Sequence, residues 1–264
     1  MKKQNLLITG GVIALLLAGM LVALYWSPDS TPSNAETIDT IREMMEAGDY
    51  VAARNALLRY LETRPDDAEA HFRLGLVTFN LGEFDAAREH FQLTMSLDPT
   101  RASAAHHNLG VLNYQLGDFE GAVEEFQAAL AQDPDDADTH YQLGATYLVL
   151  ALPATLATPD MGMLAQAEVQ FQQSLTLAPG KPEALVGLGN VYLLQNEPES
   201  AIAVLEEALD INPNLREALF ALGRAQIQMG DFDAARHTLQ TFLDTDPPSV
   251  WAQQAEDLLR HIGP

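Results

Sequence analysis

Apolar side chains recur every three or four residues from Asn34 onward, in paired runs that polar turns separate. This spacing predicts amphipathic helices. The pairs repeat with a period of 34 to 35 residues, apart from one longer unit, and each of the six units closes on a proline: Pro65, Pro99, Pro134, Pro179, Pro213 and Pro247. A period of this length predicts a stack of two-helix units, each covering the apolar surface of its neighbour.

Glycine recurs inside the first helix of the units, although it weakens a helix by roughly 1 kcal/mol relative to alanine. It occurs in the pairs Leu74-Gly75, Leu109-Gly110, Leu143-Gly144, Leu188-Gly189 and Leu222-Gly223. Two helices approach closely only where the side chains between them are small. We therefore expect Gly75 to face Ala87, and Gly110 to face Ala122, where the helices of a pair cross. A second set of glycines is expected to end first helices in the left-handed conformation: Gly82, Gly117 and Gly230.

These positions resemble the tetratricopeptide repeat (TPR) family, whose unit has small residues at positions eight and twenty, alanine at twenty-seven and proline at thirty-two. Three units show the pattern: Gly75, Ala87, Thr94 and Pro99; Gly110, Ala122, Ala129 and Pro134; Gly189, Ala201, Ala208 and Pro213. The resemblance covers residues 34–249. It implies an all-α fold, a right-handed α-solenoid of antiparallel helix pairs that forms the TPR superhelix.

The units are expected at 34–67, 68–101, 103–136, 137–181, 182–215 and 216–249. The first is degenerate, since Thr40-Ile41 stands where Leu-Gly is expected. The fourth has an insertion near 151–161, which is either a tolerated surface loop or a contact for a partner. Residues 250–264 are predicted to form a capping helix whose apolar face covers the last unit: Trp251, Ala255, Leu258, Leu259 and Ile262.

The N-terminal segment differs from the repeats. Leu6 to Trp26 is a run of 21 residues without a charge, and as a helix it would span roughly 31 Å, the thickness of a bilayer core. We expect a transmembrane anchor at 6–26, a cytoplasmic N-terminus at 1–5, a linker at 27–33 and the repeats outside the cytoplasm. The competing interpretation is a signal peptide cleaved near Ser33-Asn34-Ala35, but the apolar run is long for one.

Composition and motifs exclude several functions. The formal charge of −23 argues against nucleic-acid binding, which needs a basic surface. The chain has no cysteine, and none of the familiar nucleophile, phosphate-loop or zinc-helix motifs occurs in it. We therefore expect no enzymatic activity and no cofactor. His71, His106 and His140 share the fourth position of their units; because repeats lie about 10 Å apart and metal ligands about 2 Å from an ion, these histidines are expected to pack rather than to bind metal.

The resemblance places ligand contacts on the concave face, at the fifth, ninth and twelfth positions of each first helix. The predicted groove residues are Phe72, Leu76, Phe79, His107, Val111, Tyr114, Tyr141, Leu148, Val186, Asn190, Leu193, Phe220, Arg224 and Ile227. This row is largely apolar and aromatic, which is typical of an interaction surface, unless helix curvature or the cap covers part of it. Leu76 stands where family members that clamp chaperone tails carry a polar residue, so that ligand class is not expected.

Two classes of function remain. The first is a membrane-tethered scaffold that binds a protein or peptide client in the groove, a layout that resembles bacterial membrane-anchored TPR proteins of envelope assembly. An alternative within it is an accessory subunit of an enzymatic system such as cytochrome c maturation, without catalysis of its own. The second class is an enzyme whose chemistry lies on the inserted loop or comes from a partner. The lack of recognisable catalytic groups favours the first class.

The predicted topology can be tested with a reporter fused after Pro264 that is active only in the cytoplasm. We expect no reporter activity, because the charges that flank the apolar run place the repeats outside. A matched fusion after Lys3 controls for expression. Activity of the C-terminal fusion would contradict the topology.

Overall fold

The computed structural model describes residues 38–152, 158–245 and 249–263. Within these residues the chain forms thirteen α-helices, one short 3-10 helix at Pro99–Arg101 and no strand. In chain order the helices are α1 Ile38–Glu46, α2 Tyr50–Thr63, α3 Ala68–Asn80, α4 Phe84–Leu97, α5 Ala102–Leu116, α6 Phe119–Gln132, α7 Ala137–Ala151, α8 Met161–Leu177, α9 Pro182–Gln195, α10 Pro198–Ile211, α11 Arg216–Met229, α12 Phe232–Thr245 and α13 Val250–Ile262.

The chain divides into two units, Met1–Pro65 and Asp66–Pro264. In the first, α1 and α2 pack together and bury Ile41 and Leu57. In the second, α3 to α12 form five helix pairs, and the second helix of each pair also contacts the first helix of the next. Both units are therefore all-α, and the second is a solenoid of stacked helix pairs, as predicted. The right-handed sense of its superhelix stays a prediction.

Short turns join the two helices of each pair except α7–α8, which the insertion separates. Gly82, Gly117 and Gly230 follow first helices with φ values of 76°, 79° and 81°, so the prediction of left-handed helix ends is confirmed. In the pair α9–α10 the same place is taken by Asn196, with φ of 62°. Asparagine is one of the few other residues that tolerate this conformation, because its short polar side chain can bond locally.

The glycines inside the first helices have a different neighbour from the one expected. A methyl group added at Gly75 would lie 2.6 Å from a ring carbon of Phe91, and one added at Gly110 would lie 2.6 Å from the ring of Phe126. The nearest neighbours of these glycines are therefore Phe91 and Phe126 rather than Ala87 and Ala122, although both alanines are buried. The second helix places a large residue, four positions after the alanine, against the bare backbone.

This arrangement recurs through the second unit. The twenty-fourth position is Phe91, Phe126 and Phe171 in the first three pairs and Leu205 and Leu239 in the last two, and each lies against the glycine of its own pair. All five of these side chains are almost completely buried. Phe171 is also in contact with the next pair, since a methyl group at Gly187 would lie 2.5 Å from its ring. The glycine contact thus holds helices together both within a pair and between pairs.

The insertion is closed at its base. The Asp160 N–H donates to the Ala151 carbonyl over 2.9 Å, and the Asp160 carboxylate accepts from the N–H groups of Gly162 and Met163 at the start of α8. Residues 153–157 of the insertion at 151–161 lie outside the described residues. A partner contact there stays a prediction.

The C-terminal helix α13 covers the last pair, as expected of a cap. Ala255 is buried in a cluster with Leu219, Phe220, Leu239 and Phe242, and Leu258 and Leu259 pack against that cluster. The Ser249 hydroxyl caps the helix by accepting from the Ala252 N–H over 3.0 Å. Trp251 departs from the expectation, because 55% of its surface remains exposed.

None of the described helices combines the length and the apolar character that a membrane crossing requires. The predicted anchor at Leu6–Trp26, with its flanks at 1–5 and 27–33, lies outside the described residues. The membrane tether therefore stays a prediction.

The histidines of the fourth position each contact the second helix of their own pair. His71 Nδ1 lies 3.2 Å from His90 Nδ1, and the two rings stack with centroids 5.3 Å apart. In the next two pairs the partners are Glu125, 2.7 Å from His106, and Gln170, 2.7 Å from His140. Burial and the neighbouring His71 lower the pKa of His90, against an opposing effect of Glu89.

The ring-on-glycine contact predicts that Gly110→Ala destabilises the protein although alanine favours helix. Overpacking of this kind costs about 1–3 kcal/mol. Gly180→Ala is the matched control, because a methyl group there would meet nothing within 4 Å and should change stability by less than about 0.5 kcal/mol. Urea unfolding measures both. Equal midpoints for the two variants would contradict the contact.

The His71–His90 pair predicts a loss of stability in mild acid. The unfolded chain protonates His90 near the ordinary pKa of about 6.5, whereas the folded chain does so at lower pH. Its contribution is complete above the unfolded pKa and is lost as the pH falls from that value through the lower folded pKa. His90→Gln should therefore flatten the stability curve between about pH 7.5 and pH 5. Parallel curves for the wild type and the variant would refute this.

Candidate functional site

The predicted groove residues lie on the first helices α3, α5, α7, α9 and α11, which contact one another in succession. Eleven of the fourteen are half-buried and none is fully exposed. Val186, Leu193 and Phe220 are buried. Fewer groove residues are therefore accessible to solvent at the C-terminal end of the row than the sequence predicts. Contact of any of these residues with a partner stays a prediction.

Aromatic side chains at the fifth position rest on the second helix of their own pair. The Phe72 ring centroid lies 5.9 Å from that of Phe91, and the Tyr141 centroid lies 6.0 Å from that of Phe171. The supporting rings are the ones that press against the glycines. Phe72 and Tyr141 are therefore each fixed by packing on one side and keep part of their surface accessible.

The twelfth position shows the same arrangement. Phe79 meets Phe84 edge to face with centroids 5.8 Å apart, and Tyr114 meets Phe119 edge to face at 5.3 Å. The sequence predicts that Tyr114 and Tyr141 lie exposed, whereas the structure half-buries both. The reason is that each ring packs sideways onto its second helix instead of pointing into solvent.

A hydrogen-bonded chain links the groove residue His107 to the next pair. His107 Nδ1 lies 2.6 Å from the Thr139 hydroxyl, which donates to Asp136 Oδ2 over 2.6 Å. Asp136 also caps α7, since it accepts from the N–H groups of Asp138 and Thr139. Burial lowers the pKa of His107, so the neutral ring is favoured. These hydrogen bonds fix the orientation of the pair α5–α6 relative to the pair α7–α8.

Tyr141 has charged neighbours in addition to its aromatic neighbour Phe171. The Lys181 ammonium lies 5.1 Å from the centre of the Tyr141 ring and pairs with Asp138. Burial, followed by the charge of Glu183, raises the pKa of Tyr141. The phenol therefore stays neutral at physiological pH and is available as a hydrogen-bond donor.

An open pocket of about 650 Å³ lies at the C-terminal end of the row, between α11 and the capping helix α13. Its lining combines two predicted groove residues with five from the cap: Phe220, Arg224, Trp251, Gln254, Asp257, Leu258 and His261. The cap residues were missed by the sequence analysis, which treats α13 only as a cover. Their signal is present in the sequence, since they recur every three or four residues along one stripe of the helix.

Three models of one repeat family match the chain. Models described as "Tetratricopeptide repeat" match residues 160–207 and 192–256 and residues 39–102, and one described as "TPR repeat" matches residues 112–149. No curated protein sequence matches the chain.

Solved structures of TPR proteins share the fold. PilW, described as a widely conserved type IV pilus biogenesis factor, is 21% identical with a TM-score of 0.70, and the match covers 86% of this chain and 99% of PilW. YrrB, described as a TPR protein with an unusual peptide-binding site, is 18% identical with a TM-score of 0.60, over 76% of this chain and 98% of YrrB.

A tetratricopeptide repeat protein from Parabacteroides merdae is 16% identical with a TM-score of 0.66, over 85% of this chain and 86% of its own. At these identities the likeness concerns the fold alone. Together with the family models and the repeated glycine contacts, it identifies the chain as a member of the tetratricopeptide repeat family.

Proposed function

We propose that this protein is a noncatalytic scaffold that binds a segment of a client polypeptide along the row of fifth, ninth and twelfth positions. The TPR fold is one that serves protein–protein interaction, and that coarse assignment rests on the family. The single observation that carries the finer proposal is the row of half-buried, mainly apolar and aromatic side chains on α3, α5 and α7, which Asn190, Arg224 and Ile227 extend onto α9 and α11.

The partial burial of the side chains in the row suits protein binding better than either full exposure or full burial. Its rings are held by aromatic partners at centroid distances of 5.3 to 6.0 Å, so little side-chain freedom is lost when a ligand arrives. Partly exposed aromatic rings of this kind are typical binding hot spots. Contiguous apolar surface that stays accessible to water marks an interaction site on a folded protein.

The wider setting of the scaffold is also proposed. An anchor at Leu6–Trp26 would tether the repeats to a membrane on its extracytoplasmic side, where they would take part in envelope complex assembly. YrrB, with its described peptide-binding site, and PilW, described as a pilus biogenesis factor, support this setting by shared fold only. The identity of a crosslinked client would separate envelope assembly from cytochrome c maturation.

The test replaces Tyr114 and Tyr141 together by alanine and measures capture of client by crosslinking from membranes. We expect client binding to weaken strongly, since truncating an aromatic hot spot costs on the order of 2 kcal/mol. Because both rings are half-buried, the double variant should also melt somewhat earlier than the wild type. Stability and binding must therefore be separated.

Tyr147→Ala provides that separation. Tyr147 lies on α7 with Tyr141 but is only 5% exposed, and its hydroxyl accepts from Gln127 over 2.9 Å, so its loss should lower the melting temperature at least as much. It does not belong to the row and should leave client capture intact. Retention of client by the double variant, or equal loss in both proteins, would refute binding along the row.

A further inference from the structure

The pocket between α11 and α13 contains Arg224, whose side chain has no ion-pair partner among the described residues. We propose that this pocket binds an aspartate or glutamate side chain of the client, held by the Arg224 guanidinium, while an adjacent apolar client residue packs on Trp251, which Phe220 supports. This inference rests on the proposed function and extends it, because it assigns a chemical class to one position of the client and fixes the register of the segment.

Arg224 differs from the other arginines of the described residues. Arg73 and Arg101 pair with Glu69, Arg236 with Asp233 and Arg260 with Asp257. No ion pair, hydrogen bond or ring contact of the Arg224 side chain occurs within the part of the chain that the structure describes. Within these residues Arg224 is therefore without a counter-charge, in a protein whose net charge is −23.

The local electrostatics show the same imbalance. Burial lowers the pKa of Arg224, and no carboxylate of the described residues offsets that effect. Asp257 lines the same pocket, but it pairs with Arg260 and 58% of its side chain is exposed. A charged group that is partly removed from water without a counter-charge raises the free energy of the folded state. A ligand carboxylate in the pocket would relieve this cost.

The walls of the pocket supply the apolar half of the site. Phe220 is 4% exposed and is fixed between Phe242 and Trp251, at centroid distances of 5.4 Å and 5.0 Å. Trp251 stands edge-on to it and keeps more than half of its surface in solvent. A volume of about 650 Å³ falls in the usual range of ligand pockets. It therefore has room for an apolar side chain as well as a carboxylate.

The chemistry favours a side-chain carboxylate over other anions. One guanidinium matches one carboxylate through two parallel hydrogen bonds, whereas a polyanion such as nucleic acid would be repelled by the acidic protein. Gln254 and His261 line the pocket too and can donate further hydrogen bonds. Arg224 occupies the ninth position of the last pair, in line with the row, so a segment lying along the row would reach the pocket.

The test measures binding of two fluorescent peptide pools to the purified full-length chain by polarisation. Both pools are N-acetylated and C-amidated heptapeptides with a fixed Phe or Leu, followed two residues later by Glu in one pool and by Gln in the other. We expect the Glu pool to bind the wild type roughly tenfold more tightly, the gain of a charge-assisted over a neutral hydrogen bond.

Variants assign that preference to Arg224. Arg224→Gln should bring the two pools within about twofold of each other, whereas Arg224→Lys, which keeps the charge, should retain a reduced preference for Glu. Arg42→Gln is the matched control, because it removes the same charge from an exposed site and should keep the full preference. Thermal melts confirm that each variant is folded. If Arg224→Gln does not fold, the test relies on the reduced Glu preference of Arg224→Lys.

Three results would overturn the inference. The first is equal binding of both pools to the wild type, including no binding of either, and the second is a Glu preference that survives in Arg224→Gln. The third is that the Gln pool binds as tightly as the Glu pool once the C-terminus of the Gln peptides is left free. The last result would mean that the pocket binds a chain terminus. The client capture experiment on Tyr114 and Tyr141 is independent of these outcomes. Capture that depends on the tyrosines without any Glu preference would leave the proposed function standing and remove only the acidic subsite.

Discussion

The contact on which the structure depends is a large side chain of one helix pressed against a glycine of another. At Gly75, Gly110 and Gly189 a single added methyl group would lie within 2.7 Å of the opposing side chain, closer than packed carbon atoms approach. Each glycine weakens its helix by roughly 1 kcal/mol, and the loss is offset because a buried phenylalanine or leucine gains about 1.5–3 kcal/mol from leaving water. The pairing survives a change of unit length, since Gly144 still meets Phe171 across the inserted residues.

The same ring that rests on the glycine also supports the candidate site. Phe91 contacts Gly75 on one side and Phe72 on the other, and Phe171 contacts Gly144, Gly187 and Tyr141. The position of each fifth-position ring is therefore set by the contact that holds the helices together. In the last two pairs leucine replaces the ring, and there the fifth-position residues Val186 and Phe220 are buried. The open surface at that end shifts to the pocket beside the cap.

Sequence reasoning predicted the features that depend on local spacing. The repeat period, the left-handed glycines and the capping helix follow from residue types at fixed intervals. Sequence reasoning failed where two segments that are distant along the chain come into contact. The spacing shows that Gly110 needs a close neighbour, but it does not show whether that neighbour is Ala122 or Phe126. For the same reason the wall that Trp251 and Gln254 add to the pocket was missed, because it depends on how α13 docks on α11. The degree of exposure of Tyr114 likewise depends on Phe119, which no periodicity reveals.

The central claim is that the ring and the glycine stabilise the protein as one unit, and a double-mutant cycle tests it most directly. Free energies of unfolding would be measured for Gly110→Ala, Phe126→Ala and the double variant. Removing the ring alone should cost about 3–5 kcal/mol, and the added methyl group should then cost nothing, because it enters the space the ring has left. We predict a coupling energy of at least about 1 kcal/mol, in the range seen for residues in contact. Additive effects, within about 0.5 kcal/mol, would show that the two residues act independently and would contradict the account.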